Sequence, residues 1–157
     1  MSLENLYQQY ADILYRVSFS LLQNKADAED AVMDGFERYL RAKRTFSSPE
    51  HEKAWLLKVT VNRCRDLLRK KKFRIYTPLE EVTSMPAEEK TVFDFSAVLS
   101  LPQEQKEVIL LYYFEDMKVE EVAKALSASV SAVKMRLLRA REALREKLGE
   151  EYESRLK

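Results

Sequence analysis

The chain has 157 residues, with 27 Lys and Arg against 26 Asp and Glu for a net charge of +1, and 46% apolar residues, two Gly and four Pro. Apolar content of that size at near-zero net charge excludes disorder along the whole length, and two glycines cannot serve the tight turns of a mostly β protein. A mainly helical chain of one domain or two small ones is therefore expected.

Residues 3–23 place Leu6, Tyr10, Ile13, Leu14, Val17 and Leu21 at the three-and-four spacing of an amphipathic helix. After a polar break at 24–27, a second helix is predicted over 27–43, with Ala28, Ala31, Val32, Gly35, Phe36 and Tyr39 on one side. At 100° per residue, Asp27, Asp30, Asp34 and Glu37 cluster on the opposite side as an acidic stripe. Pro49 pushes Ser48 out of the α region and breaks the pattern. A third helix is predicted over 50–72. Leu56, Leu57, Thr60, Cys64, Leu67 and Leu68 share one of its faces, and Trp55, Lys58, Asn62, Asp66, Arg69 and Lys70 the other.

From 73 to about 94 the periodicity fades among Pro78, Pro86 and the acidic pairs Glu80-Glu81 and Glu88-Glu89, the composition of a flexible linker. Leu101-Pro102 opens a second helical unit whose apolar face is Val108, Leu111, Tyr112 and Phe114. A short helix follows at 119–126, then the turn Ser127-Ala128-Ser129, then a long basic helix over 130–148 closed by Gly149. Three helices with a three-residue turn before the last resemble a helix-turn-helix DNA-binding unit.

Charge follows the same division. Residues 41–77 hold twelve basic and three acidic side chains (+9) and 130–147 six and two (+4), whereas 1–40 carry −4 and 78–129 carry −7. Two basic blocks on helices fit cationic stripes that neutralise phosphates, although a single block would more simply solubilise a surface. In the last helix Val130, Val133, Leu137, Ala140, Leu144 and Leu148 must face the core. The outer face then presents Ser131, Lys134, Met135, Leu138, Arg139 and Glu142, with Arg136 and Arg141 on its flanks. Lys134 and Arg139 suit base edges or phosphates in a major groove, and Arg136 and Arg141 suit the backbone. Ser129 or Ser131 is the expected N-cap. In the third helix, Trp55 beside Asn62 and several cations suits an unpaired strand, with capping of the core as the competing role for that ring.

Catalysis is not expected. His51 is the only histidine and has no neighbour at metal-ligand spacing, adjacent glutamates point apart on a helix, and Gly35 and Gly149 cannot build a phosphate loop. The lone Cys64 permits no internal disulfide. The N-terminus MSLENLYQQYADILY lacks a signal-peptide profile, and no apolar run approaches the ~18 residues of a membrane span. A cytoplasmic protein without membrane insertion, cofactor or small-molecule substrate is expected.

Taken together, the segments resemble the extracytoplasmic-function sigma factors of bacterial RNA polymerase. Asp27-Ala-Glu-Asp-Ala-Val-Met-Asp-Gly-Phe-Glu-Arg is similar to the family's region 2.2, Trp55-Leu…Asn62…Asp66…Arg69 to its minus-ten helix, and Leu101-Pro…Val122-Ala…Val133-Lys-Met-Arg-Leu-Leu-Arg-Ala-Arg to its region 4. The resemblance implies an all-α protein: region 2 at 1–75, a flexible linker at 76–96 and a helix-turn-helix region 4 at 97–157. It implies that Asp27, Asp30, Met33, Asp34 and Glu37 bind core polymerase at the beta-prime clamp helices, with the beta flap as a second polymerase contact. Phe46, Trp55, Lys58, Asn62, Arg65, Asp66, Arg69 and Lys70 would recognise and open the minus-ten element. Ser131, Lys134, Met135, Arg136, Leu138, Arg139 and Arg141 would read the minus-thirty-five element. Promoter DNA and an anti-sigma factor are implied partners. The sequence departs from the pattern at Met33-Asp34, where Gln-Glu is common, at the mid-helix Gly35, and at Ser127, Ser131 and Ala132, where Gly, Gly and Thr are frequent.

The alternatives are a free-standing helix-turn-helix regulator with an N-terminal sensing or dimerisation domain, and a nucleic-acid-processing enzyme. The first needs a ligand pocket or dimer seam in residues 1–75. The second needs a metal-binding carboxylate cluster, which the sequence does not assemble.

Overall fold

A computed structural model describes residues 3–71 and 95–148, apart from the side chains of Lys71 and Leu148. The helices are α1 (Leu3–Leu22), α2 (Lys25–Ala42), α3 (Pro49–Lys71), α4 (Phe95–Leu99), α5 (Gln103–Ile109), α6 (Val119–Leu126) and α7 (Val130–Leu148). A π-helical turn, Leu110–Phe114, continues α5, and no strand occurs among the described residues. Most of the predicted linker, Gly149 and the tail lie outside the described residues.

The first three helices form where the apolar spacing places them, with shifted ends. α2 starts at Lys25 because Asn24 caps it, its Oδ1 accepting from Asp27 N at 2.8 Å, so the polar break shrinks to Gln23 and Asn24. Pro49 is the first residue of α3, where its missing N–H costs nothing. Leu6, Leu14, Phe36, Leu56, Leu57 and Val61 are fully buried where α1, α2 and α3 meet, and each contributes about 1.5–3 kcal/mol by burial. Gly35 explains itself here: a Cβ on it would stand 2.4 Å from Thr60 Oγ1, so its lack of a side chain lets α2 and α3 approach.

In the second half, α4 is an addition to the sequence reading. It begins at Phe95, inside the expected linker and two residues before the expected domain start. Ala97 and Val98 are buried, and Phe95 packs edge-on against Phe114 at 5.5 Å. Apolar burial, which a five-residue segment without periodicity does not advertise, decides it. The apolar face after Pro102 also differs. Val108, Ile109, Leu110 and Leu111 are buried, while Tyr112 and Phe114 are half-buried. The cause is the π turn, in which Glu115 N donates to Leu110 O at 3.0 Å and the extra residue rotates the ridge. α6 ends at Ser127, which is left-handed (φ 56°, ψ 46°) where glycine would carry no steric cost.

The two sets of helices share one continuous core. α6 packs on α3 and the π turn touches α1, so the described halves lie against each other.

Candidate nucleic-acid interface

The turn 127–129 fixes how α7 projects. Ala128 N donates to Ala123 O at 2.9 Å, and Ser129 Oγ accepts from Ala132 N at 3.0 Å, which makes Ser129 the N-cap and leaves Ser131 on the surface. Val133, Leu137, Ala140 and Leu144 are buried against α5 and α6, with Val130 half-buried. Ser131, Lys134, Met135, Leu138, Arg139 and Glu142 are exposed, and Met135 and Leu138 are among the most exposed large apolar side chains. The flanking cations are already engaged. Arg136 lies 3.5 Å from Glu104, and Arg141 donates from Nε to the Tyr113 hydroxyl at 2.6 Å with its guanidinium over that ring.

On α3, Lys58, Asn62, Arg69 and Lys70 are exposed, and Arg65 and Asp66 half-exposed. Arg69 is bonded to Asp66. Arg65 is committed more heavily: Nε and Nη2 donate to Glu107 at 2.9 and 2.6 Å, and Nη1 donates to Asn62 Oδ1 at 3.1 Å. The bond to Glu107 raises the Arg65 pKa against the opposing effect of burial. Residues 49–53 belong to α3, and Asn62 follows Pro49 by thirteen positions, about 20 Å along the helix.

Trp55 is half-buried in an aromatic cluster packed against the core. Its ring lies 5.8 Å from Phe46 and 6.1 Å from Tyr39, Phe46 stacks on Tyr39 at 5.8 Å, and Arg44 stands 5.3 Å from the Phe46 ring centroid. Beneath the cluster, Glu52 accepts from the hydroxyls of Tyr10 (2.7 Å) and Tyr39. The sequence places Tyr39 only on the apolar side of α2 and does not single out Arg44 or Glu52, because the reversal of chain direction at 43–48 is what brings α2 and Arg44 beside Trp55.

The acidic stripe of α2 is real and partly neutralised. Asp30 and Glu37 are exposed and Asp27 and Asp34 half-exposed. Arg63 of α3 reaches Asp30 at 2.9 Å, Arg38 reaches Asp34 at 2.9 Å, and Arg41 reaches Glu37 at 3.3 Å. Met33 is 54% exposed at the edge of a groove between α1 and α2 lined also by Tyr7, Tyr15 and Val32.

His51 is exposed in the first turn of α3, bonded to Ser47 Oγ, and its Nε2 lies 2.6 Å from Lys124 Nζ. Burial pushes the Cys64 thiol up to about 12. No group of three His, Cys, Asp or Glu side chains is placed to hold a metal ion, and no helix is long and apolar enough to cross a membrane, among the described residues.

A family model for sigma-70 region 2 matches residues 6–74, and one for sigma-70 region 4 matches residues 95–144. The RNA polymerase sigma factor SigV of Bacillus subtilis is 34% identical over 87% of this chain and 85% of its own length. The ECF RNA polymerase sigma factor SigW of the same species is 27% identical over 88% and 84%. Among solved structures, CnrH in complex with the cytosolic domain of CnrY superposes with a TM-score of 0.68 at 28% identity, covering 93% of this chain and 86% of that one. RpoE of Bartonella quintana, solved with the anti-sigma factor NepR, shares the fold with a TM-score of 0.72 at 22% identity, covering 94% and 98%. With both sigma regions matched in order, and relatives aligned over most of the chain, the chain belongs to the extracytoplasmic-function sigma factors of the sigma-70 family, which direct promoter-specific transcription.

Proposed function

We propose that three surfaces divide the work of initiation. The outward strip of α7, with Ser131, Lys134, Met135, Leu138 and Arg139, reads the minus-thirty-five element in the major groove, and Arg136 and Arg141 follow its phosphates. Phe46, Trp55, Lys58, Asn62, Arg65, Asp66, Arg69 and Lys70 handle the minus-ten element, the rings contacting unpaired bases and the cations the backbone. Asp27, Asp30, Met33, Asp34 and Glu37 hold the beta-prime clamp helices of core RNA polymerase, and the second half meets the beta flap.

The observation that carries this reading is α7: its inner side is locked in the core, its outer side is exposed and cationic, and a capped three-residue turn sets it behind α6. The protein acts in the cytoplasm and performs no chemistry of its own. An anti-sigma factor is a further partner in this reading, supported by the similarity to CnrH, which is bound by the cytosolic domain of CnrY.

Run-off transcription with purified core polymerase on a library of promoter fragments tests it. Transcripts from a defined subset that require the added protein are expected. Transcripts from the same templates with and without it would reject the reading.

A further inference from the structure

The π turn brings a tyrosine to the flank of α7. Glu115 N donates to Leu110 O at 3.0 Å and Met117 N to Leu111 O at 3.1 Å, so the chain between them is wider than an α-helical turn. Leu111 and Met117, on either side of Tyr113, are buried and hold the turn to the core. Tyr113 itself is half-buried, with the Tyr112 ring edge-on at 4.9 Å. Arg141 of α7 meets its hydroxyl: Nε donates to Tyr113 Oη at 2.6 Å, and the guanidinium carbon stands 5.6 Å from the ring centroid. Both partners have buried neighbours, Leu110 and Leu111 on the turn and Ala140 and Leu144 on α7, so the pair joins two anchored elements.

A guanidinium carries five N–H donors, of which a phosphate takes two in parallel. The bond to Tyr113 engages Nε and leaves the Nη pair at the end of the side chain to form that fork. We propose that Tyr113 is a positioning residue for the minus-thirty-five contact: its hydroxyl and ring hold Arg141 in the orientation in which the Nη pair meets a backbone phosphate beside the major groove. The proposal rests on the reading of Arg141 as a phosphate contact.

Such an arrangement favours binding by acting before the DNA arrives. An unrestrained arginine gives up rotamer freedom when it grips a phosphate, whereas a side chain already held by a hydrogen bond and a ring has given up much of it on folding. A tyrosine that only filled space at this place would need its ring and not its hydroxyl. Phosphates carry no sequence information, so the hydroxyl should add affinity for every duplex and discrimination for none.

The full-length protein assembled with core polymerase tests this by competition binding of a promoter duplex from the run-off screen and of a random duplex, each over a series of salt concentrations. Tyr113→Phe keeps the ring and removes the hydroxyl, so helicity should be unchanged. It should weaken binding of both duplexes about fivefold. The slope of log affinity against log salt should stay the same, because the phosphate is still neutralised. Arg141→Ala should weaken both duplexes and reduce the steepness of that slope by about one. Adding Tyr113→Phe to Arg141→Ala should then cost nothing more, which a hydroxyl acting through Arg141 requires. A further fivefold loss in that background overturns the positioning role, since the hydroxyl would be acting without Arg141. Unchanged affinity for Tyr113→Phe beside a weakened Arg141→Ala also overturns it and leaves the phosphate reading intact. No effect of Arg141→Ala removes the phosphate reading itself, so the two failures are told apart.

Discussion

Gly35 of α2 lies directly over Thr60 of α3, with the Thr60 hydroxyl oxygen 2.4 Å from where a methyl on residue 35 would be. Both residues are buried, and Thr60 is pinned between helices that carry the base of the first half. Gly35→Ala gains about 1 kcal/mol of helix propensity but forces an overpacked contact costing ~1–3 kcal/mol. A net loss of about 1 kcal/mol in urea unfolding is expected. Combining it with Thr60→Ala should restore the loss, and failure of that rescue would place the strain elsewhere.

Glu52 links Tyr10 and Tyr39, which predicts an alkaline weakness. The hydrogen bond to Glu52, with burial second, pushes the Tyr39 hydroxyl up to about 12, and burial followed by Glu52 raises Tyr10 further. Unfolded tyrosine ionises near pH 10. Since the folded chain resists ionisation, this contribution to stability is whole below pH 10 and is lost as pH rises through 12. Tyr39→Phe should cost about 1 kcal/mol at neutral pH and make the loss between pH 10 and 12 shallower. Urea titrations at pH 8 and pH 11 check both parts.

Arg139 and its neighbours on α7 should separate by role. Arg139→Ala removes an exposed side chain, and a lost bidentate contact to guanine is worth about 1–3 kcal/mol of discrimination. Arg136→Ala and Arg141→Ala should weaken all templates more evenly, and Arg141→Ala should also lower stability slightly through the lost Tyr113 contact. Competition between specific and random duplexes in the polymerase complex reads this out. Equal losses for all three variants would remove the base-reading role of Arg139.

For the acidic stripe, the partners of Asp30 and Asp34 dictate the substitutions. Lysine at position 30 would repel Arg63 and confuse docking with folding, so Asp30→Asn and Asp34→Asn are the cleaner changes. Surface ion pairs contribute roughly 0–1 kcal/mol, so the fold should survive. Pull-down of purified core polymerase should weaken for the double variant, and unchanged recovery would shift the docking surface away from α2.

The apolar spacing alone determined that the chain is helical, which faces of α1, α2, α3 and α7 are buried, and where the turn before α7 falls. Those features depend on local periodicity and on capping by nearby residues such as Ser129 and Asn24. The acidic stripe and the outer face of α7 were legible for the same reason, since a face follows from its opposite. Tertiary structure alone decided the rest. α4 is too short to show a period and exists because Phe95, Ala97 and Val98 find cover. The π turn re-aims Tyr112 and Phe114, and Trp55 takes its surroundings from Tyr39, Phe46 and Arg44. Arg65 and Glu107, 42 residues apart, meet because one continuous core brings α3 and the second half together. No local pattern records a partner at that separation. Its choice depends on which buried charge lacks a balancing neighbour once the helices have packed.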